Sequence, residues 1–399
     1  MDKKYLGVYV HFPFCKSKCD YCDFYSLPGY EDRMDTYQAA LITQMKETAP
    51  QAKDYLVDTI YFGGGTPSYY GTKRLVELLK LIKKLFKIAK GAEITVECNP
   101  DSVNLKMLRT LRRAGVNRIS LGMQSANDCE LRDLNRPHTF AQVQEAVAAV
   151  RKARIRNLNL DLIFGLPGQT MDGWKDTLES ALTLTPEHLS CYGLILEEGT
   201  PLARRVASGL EVPDDDAQAD QYLWTIERLK EAGYNQYEVS NFARAGLQSR
   251  HNLKYWMGHE YLGFGAAAHS DFGNCRYAFI SDLDGYIRGI NEGTILLAES
   301  DLIPKRERSS EYLMLRLRTT HGVEEWEYRR EFYMNFDPLA AKFREYESRG
   351  WAVQVDRRWR FTPTGFLLSN QLIAELQELQ ETATLANTLD SLERISKGR

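Results

Sequence analysis

The 399-residue chain contains no apolar run of about 18 residues, so it offers no membrane-spanning helix. Neither sign of charge is in excess. Lys and Arg number 51 against 54 Asp and Glu, a formal net charge of −3, which argues against nucleic-acid binding driven by bulk charge. No short internal repeat or low-complexity tract is present, which excludes a solenoid or a compositionally disordered scaffold. The N-terminal stretch MDKKYLGVYVHFPFC is basic and then apolar but lacks a small-residue cleavage site. It reads as a first strand rather than a signal peptide, and the expected location is the cytoplasm. Cysteines number seven, an odd count in a long chain, so a disulfide framework is not expected.

What is present is ordinary in bulk and specific in detail. A hydrophobic fraction of 43% supports a sizeable core. Short β-rich runs at 5–11, 57–62, 92–98, 118–124, 158–164 and 189–195 alternate with helical patterns such as 72–86 and 140–153. Repeated strand–helix units predict an α/β fold, a barrel-like sheet of parallel strands joined by right-handed crossovers and not necessarily closed. Polar or glycine-rich turns follow the strands: GGGTPS, NPD, QSAND and GLPGQT. In such folds these turns build the ligand site. Beyond residue 200 the pattern changes. An acidic linker (211–221) leads into a helix ending near 232, and 234–244 reads as a further strand and turn. From about 305 the chain is helical and charged, with a hairpin over 350–366, as in a small winged-helix-like appendage. The expected organisation is a core at 1–232, a connecting region at 233–304 and an appendage at 305–399.

Four cysteines, Cys98, Cys129, Cys191 and Cys275, are scattered. The other three, Cys15, Cys19 and Cys22, fall within eight residues directly after the first strand. Thiolates so close in sequence can converge on a soft metal centre at little entropic cost. Structural zinc usually takes four ligands, and only His11 stands nearby. A 4Fe–4S cluster held by three cysteines leaves one iron open. The C-x3-C-x2-C spacing resembles the radical S-adenosylmethionine (SAM) superfamily, in which SAM chelates that iron.

The resemblance extends along the chain. YVHFPFCKSKCDYCDF, YFGGGTPS, ECNPD, LGMQSAN, LNRPH and DLIFGLPGQT are similar to motifs of the oxygen-independent coproporphyrinogen III oxidase family, from Tyr5 to about residue 370. The resemblance implies a radical-SAM partial (β/α)6 TIM-like barrel with a C-terminal helical appendage, and that Cys15, Cys19 and Cys22 hold the cluster. It also implies that Tyr9, Gly64, Gly65, Thr66, Glu97, Gln124, Arg136 and Asp161 contact SAM.

Within that family the sequence departs from the decarboxylating enzymes, the coproporphyrinogen III dehydrogenases. These carry a fourth cysteine two residues after the third, where this chain has Phe24, and a longer N-terminal extension. Both departures are similar instead to the HemW-type heme chaperones. The segment HNLKYW (251–256) resembles the HNxxYW signature of that subgroup. The resemblance implies heme binding, with His251 as axial ligand and Tyr255 and Trp256 as flat apolar surface. Lys254 is a candidate partner for a propionate and His269 a competing ligand. The implied partners are heme and acceptor hemoproteins, respiratory ones among them.

Overall fold

Strand β1 spans Lys4–Phe12 in the computed structural model, which describes residues 3–382. Two short strands, β2 (Phe14–Cys15) and β3 (Leu27–Pro28), form a separate parallel pair just beyond it. The chain then returns to the side of β1 with β4 (Tyr55–Gly64), β5 (Ile88–Cys98), β6 (Arg118–Gln124), β7 (Asn157–Phe164) and β8 (His188–Gly193). The order across the sheet is β1-β4-β5-β6-β7-β8, with every neighbour parallel. All six strands expected from periodicity are there.

Amphipathic helices cover the outside of this sheet. In Thr72–Leu85 the buried residues are Leu75, Leu78, Leu79 and Ile82, a spacing of three, four and seven that puts one stripe on the strands. Helix Phe140–Lys152 starts at a capping box in which Thr139 and Gln142 satisfy each other's backbone N–H groups. Asp214 accepts from the Ala217 N–H and starts the helix Asp215–Glu231, so the acidic linker is shorter than its composition suggests.

The sheet stays open between β8 and β1, and later segments extend both edges. Tyr261–Phe264 lies parallel to the free side of β1, followed by antiparallel strands His269–Phe272, Cys275–Phe279 and Leu297–Leu302. Asn241–Ala243 pairs antiparallel with β8. The small residues of 263–270 serve packing here. A Cβ on Gly263 would meet the His269 carbonyl, and one on Gly265 the Tyr37 hydroxyl.

The concave side of the sheet is polar. All seven residues of β6 are buried. With period two, Ile119, Leu121 and Met123 share one face while Arg118, Ser120, Gly122 and Gln124 share the other. Asn159 lies on the second face's neighbour strand and donates to Ser120 Oγ and Asp161 Oδ1, both at 2.7 Å, while His188 Nδ1 meets Asn159 Oδ1 at 2.6 Å. A buried polar layer of this kind is tolerated because its groups satisfy one another.

Internal packing divides the chain in two. One unit comprises the chain up to Asn235, Ser240–Lys254 and His259–Leu302; the other comprises Gln236–Val239, Tyr255–Gly258 and the chain from Ile303. The second unit has helices Lys305–Arg316, Glu325–Phe332 and Asp337–Ser348 around a three-stranded sheet. That sheet contains the expected hairpin, Ala352–Val355 with Arg358–Phe361, and a third strand, Val323–Glu324. Phe343 stacks on Trp359 with centroids 5.3 Å apart. Arg358 is ion-paired with Glu324 and Glu327 at 3.2 and 3.0 Å.

Candidate cofactor site

The loop bearing the three cysteines leaves β1 at Phe12 and is closed at its base by the β2–β3 pair, with the Leu27 N–H donating to the Pro13 carbonyl at 2.8 Å. A tight turn joins Cys19 to Cys22 through the Cys22 N–H and the Cys19 carbonyl, 3.1 Å apart. Cys15 Sγ lies 3.3 Å from Thr66 Oγ1, and Cys22 Sγ 4.0 Å from Ser26 Oγ. Burial raises the thiols of Cys15 and Cys22 above their ordinary value, so an electropositive partner is needed to hold them as thiolates. Among the described residues no three His, Cys, Asp or Glu side chains converge as a single ion requires. A cubane, by contrast, takes each thiolate on a different iron.

The glycine turn after β4 is strapped to this loop. Gly65 N donates to Phe12 O at 2.8 Å and Thr66 N to Phe14 O at 2.9 Å. A Cβ on Gly65 would lie 2.8 to 3.0 Å from Phe12 O, Phe14 O and Cys15 Sγ, so only glycine permits the approach. Gly64 has φ +108° and its N–H donates to Glu97 Oε2 at 3.1 Å. Tyr61 Oη donates to Glu97 Oε1 at 2.7 Å. Burial pushes the Glu97 carboxyl up to about 7, with Asp161 adding to the shift and the two donors opposing it. A carboxyl poised there gains its charge readily when a cation arrives.

Gln124, at the end of β6, has φ +64° and is buried, a strained backbone for a residue with a side chain and an arrangement that clusters at binding sites. Arg136 reaches the same end of the sheet. Its Nη2 donates to Asn99 Oδ1 and Gly122 O, both at 3.0 Å, and its Nη1 to Cys19 Sγ at 3.3 Å. Its Nε is buried with no hydrogen-bond partner among the described residues. A guanidinium with an unused buried donor fits a ligand carboxylate, which SAM carries. Asp161 on β7 accepts from Asn159 and from Ser120 Oγ at 3.1 Å, and burial raises its carboxyl.

Tyr9 on β1 donates to or accepts from His11 Nδ1 at 3.0 Å, and its ring stacks on Tyr61 at 6.2 Å. The structure thus gathers Tyr9, Gly64, Gly65, Thr66, Glu97, Gln124, Arg136 and Asp161 around the strand ends next to the cysteine loop. Sequence reasoning gave no role to Asn99, although ECNPD contains it; Asn99 bridges Thr66 Oγ1 (3.3 Å) and Arg136. Tyr61 was missed too, because nothing in an apolar strand marks one tyrosine as a donor to a carboxylate.

The HNLKYW segment opens the helix Arg250–Trp256. Its first N–H groups are capped from another strand: Glu93 on β5 accepts from Arg250 N and His251 N, each at 3.0 Å. His251 is 1% exposed, with Nδ1 2.8 Å from Thr59 Oγ1 and its ring stacked on Tyr61 at 5.1 Å and 23°. Burial holds its imidazole neutral down to about 3, helped by Lys254 and Arg118. Lys254 is buried, and its ammonium pairs with Asp58 Oδ1 at 2.7 Å. Tyr255 and Trp256 are half-buried and belong to the second unit. His269 is exposed and meets Glu299 at 3.3 Å. The four scattered cysteines are free thiols, Cys98 and Cys191 buried, Cys275 half-buried and Cys129 exposed.

No helix among the described residues is long and apolar enough to cross a membrane. The Radical SAM superfamily matches residues 9–181, and the HemN C-terminal domain matches residues 303–368. Curated relatives include the heme chaperone HemW of Bacillus subtilis, 33% identical over 369 residues, which is 92% of this chain and 97% of that protein. HemW of Haemophilus influenzae is 35% identical over 380 residues, again 92% of this chain and 97% of the relative. The solved structure of coproporphyrinogen III oxidase (HemN) from Escherichia coli, a radical SAM enzyme, has the same fold. Its TM-score is 0.82 at 23% identity, over 94% of this chain and 90% of that one. The chain belongs to the HemW family of radical SAM proteins.

Proposed function

We propose that the protein is a cytoplasmic heme carrier that binds heme and hands it to acceptor hemoproteins, with a SAM-ligated 4Fe–4S cluster in its barrel. The observation that carries this reading is Phe24, 70% exposed where decarboxylating relatives are expected to bear a further cysteine, in a chain similar over nine-tenths of its length to heme chaperones.

Cys15, Cys19 and Cys22 would hold the cluster. When bound with SAM it supplies one-electron chemistry at an open iron. The chain's own residues bind and orient. Arg136 offers Nε to the SAM carboxylate while its Nη1 faces the Cys19 sulfur. Glu97 and Asp161 place negative charge opposite the ammonium and sulfonium. Gly64 and Gly65 let the backbone approach, and Tyr9 and Gln124 close the remaining sides.

Heme is assigned to the HNLKYW segment, where His251 would ligate the iron and Tyr255 and Trp256 would supply flat apolar surface. Thr59 occupies Nδ1, so iron would be ligated through Nε2, the other nitrogen being oriented by its hydrogen bond as is usual for metal-bound histidine. Because His251 is almost fully covered, ligation would require the imidazole to be uncovered first.

The test is a hemin titration of anaerobically reconstituted protein, followed by transfer to an apo-hemoprotein, with coproporphyrinogen, SAM and a reductant in a parallel assay. Saturable heme binding and transfer is the expected result. Robust protoporphyrinogen formation would overturn it in favour of the dehydrogenase reading.

A further inference from the structure

We propose that His251 is a positioning residue for the SAM site, acting through Tyr61 on Glu97. The inference rests on the reading that Glu97 contacts SAM, and it gives the HNLKYW segment a second role independent of heme.

Two residues tie His251 down. Thr59 fixes its Nδ1 from β4, and Glu93 fixes its backbone N–H from β5. The imidazole therefore forms a rigid shelf inside the sheet. Tyr61 lies flat on that shelf, with its ring also stacked against Tyr9 on the neighbouring strand. Tyr9 also stacks on His251, with centroids 6.3 Å apart, so the three rings pack on one another and Tyr61 has little freedom in the direction its hydroxyl points. That hydroxyl is one of the two donors to Glu97, the other being the Gly64 backbone N–H. Glu97 Oε1 is thus aimed by a side chain that His251 holds in place. Removing the shelf frees Tyr61 to tilt and weakens a hydrogen bond to a charged group, among the stronger kinds in a buried site.

The geometry also predicts direction. Losing the Tyr61 donor disfavours the ionised form of Glu97, so the carboxylate is less available to a cationic ligand. Asp161 and Arg118 also face Glu97 and are unaltered by changes at His251 or Tyr61.

The experiment measures SAM affinity of the reconstituted protein by calorimetry for His251→Ala, His251→Phe, Tyr61→Phe, the double variant His251→Ala/Tyr61→Phe, and Glu97→Gln. His251→Ala should weaken SAM binding about 2- to 10-fold, the worth of one aromatic stack. His251→Phe, which keeps a flat ring, should restore most of it. In the Tyr61→Phe background, His251→Ala should cost clearly less than in the unaltered protein, because the hydroxyl it positions is gone and its stack on Tyr9 is what remains to be lost. The pH at which SAM affinity rises should move upward in both Tyr61→Phe and His251→Ala, which a merely structural loss does not produce. Equal losses from His251→Ala in the two backgrounds, or none in either, overturn the proposal. If Glu97→Gln leaves SAM affinity unchanged, the assignment of Glu97 to SAM has failed instead. Should His251→Ala not fold, Thr59→Val, which releases Nδ1 alone, carries the same test with a smaller loss in the same direction.

Discussion

Arg136 Nη1 points at Cys19 Sγ from 3.3 Å, across 117 residues of sequence. The same guanidinium also holds Asn99, just after β5, and the Gly122 carbonyl on β6, so it ties the cluster loop to two strand ends at once. A buried cation beside a sulfur favours its thiolate form and, by charge alone, the more reduced state of an attached metal centre. Arg136→Met should therefore keep the cluster but lower its reduction potential. It should also weaken SAM binding at least about tenfold, since a hydrogen bond to a charged group is worth roughly 1.5–3 kcal/mol. An EPR-monitored redox titration and calorimetry check the two halves. Unchanged SAM affinity would sink the assignment of Arg136 to the SAM carboxylate.

Glu97 titrates where cells live. With its carboxyl raised to about 7 by burial, the SAM-free protein holds a substantial neutral fraction at neutral pH. A cationic ligand binds the ionised form, so affinity for SAM should climb as pH rises through about 7 and level off above it. Glu97→Gln should remove that component of the profile. The sign for stability is the reverse. A raised acid contributes stability that is complete below its ordinary 4.5 and is lost as pH rises through about 7. Glu97→Gln should accordingly flatten the fall in Tm between those values in SAM-free protein.

The strands and the glycine turns were legible because each depends on a short stretch: β-rich runs of six or seven residues, and turn residues just after them. The cysteine trio was legible for the same reason. What could not be read is what distant segments do to one another. Strand 261–264 lies against β1, 250 residues away, and no local pattern announces that pairing. The polar layer inside the sheet was equally hidden. Thr59, Glu93, Arg118, Asn159 and His188 are all buried, yet alternation of polar and apolar residues reads as one face in water. His251 shows the limit most clearly. Its motif suggested an iron ligand, and no local pattern showed that the ring is stacked on Tyr61 in the interior.

Phe24 packs on little, with 70% of its surface exposed. Phe24→Cys should change stability by less than about 0.5 kcal/mol, as surface substitutions do. The variant should keep a normal cluster spectrum and still convert no coproporphyrinogen, because one exposed thiol does not build a porphyrin pocket. A thermal melt and porphyrin fluorescence after incubation with coproporphyrinogen, SAM and reductant decide it.

Lys254 is committed to Asp58 rather than displayed to solvent. Among the described residues, Lys254→Met leaves Asp58 with Arg250 alone as an ion-pair partner, at 3.5 Å. The cost should be roughly 1–3 kcal/mol, below the ~3–5 of a wholly enclosed pair. Lys254→Met/Asp58→Asn should recover part of the lost Tm, since the buried carboxylate is then gone. A propionate contact, by contrast, would show as a loss of heme affinity in Lys254→Met that the second substitution does not repair.

Heme and SAM draw on the same histidine if both assignments hold. Iron ligation pulls the His251 ring off Tyr61, whereas the Glu97 hydrogen bond is best made with the ring in place. The two ligands should then oppose each other, and linkage makes the opposition equal in both directions. Saturating hemin should raise the Kd for SAM by about the factor seen in His251→Ala, roughly 2- to 10-fold. Saturating SAM should raise the Kd for hemin by that same factor. In His251→Phe the antagonism should vanish, because a phenyl ring supports Tyr61 but cannot bind iron. Paired titrations by absorbance and calorimetry read both constants. If hemin leaves SAM affinity untouched in the unaltered protein, iron is not drawing His251 away from Tyr61, and the axial ligand must be sought at another residue.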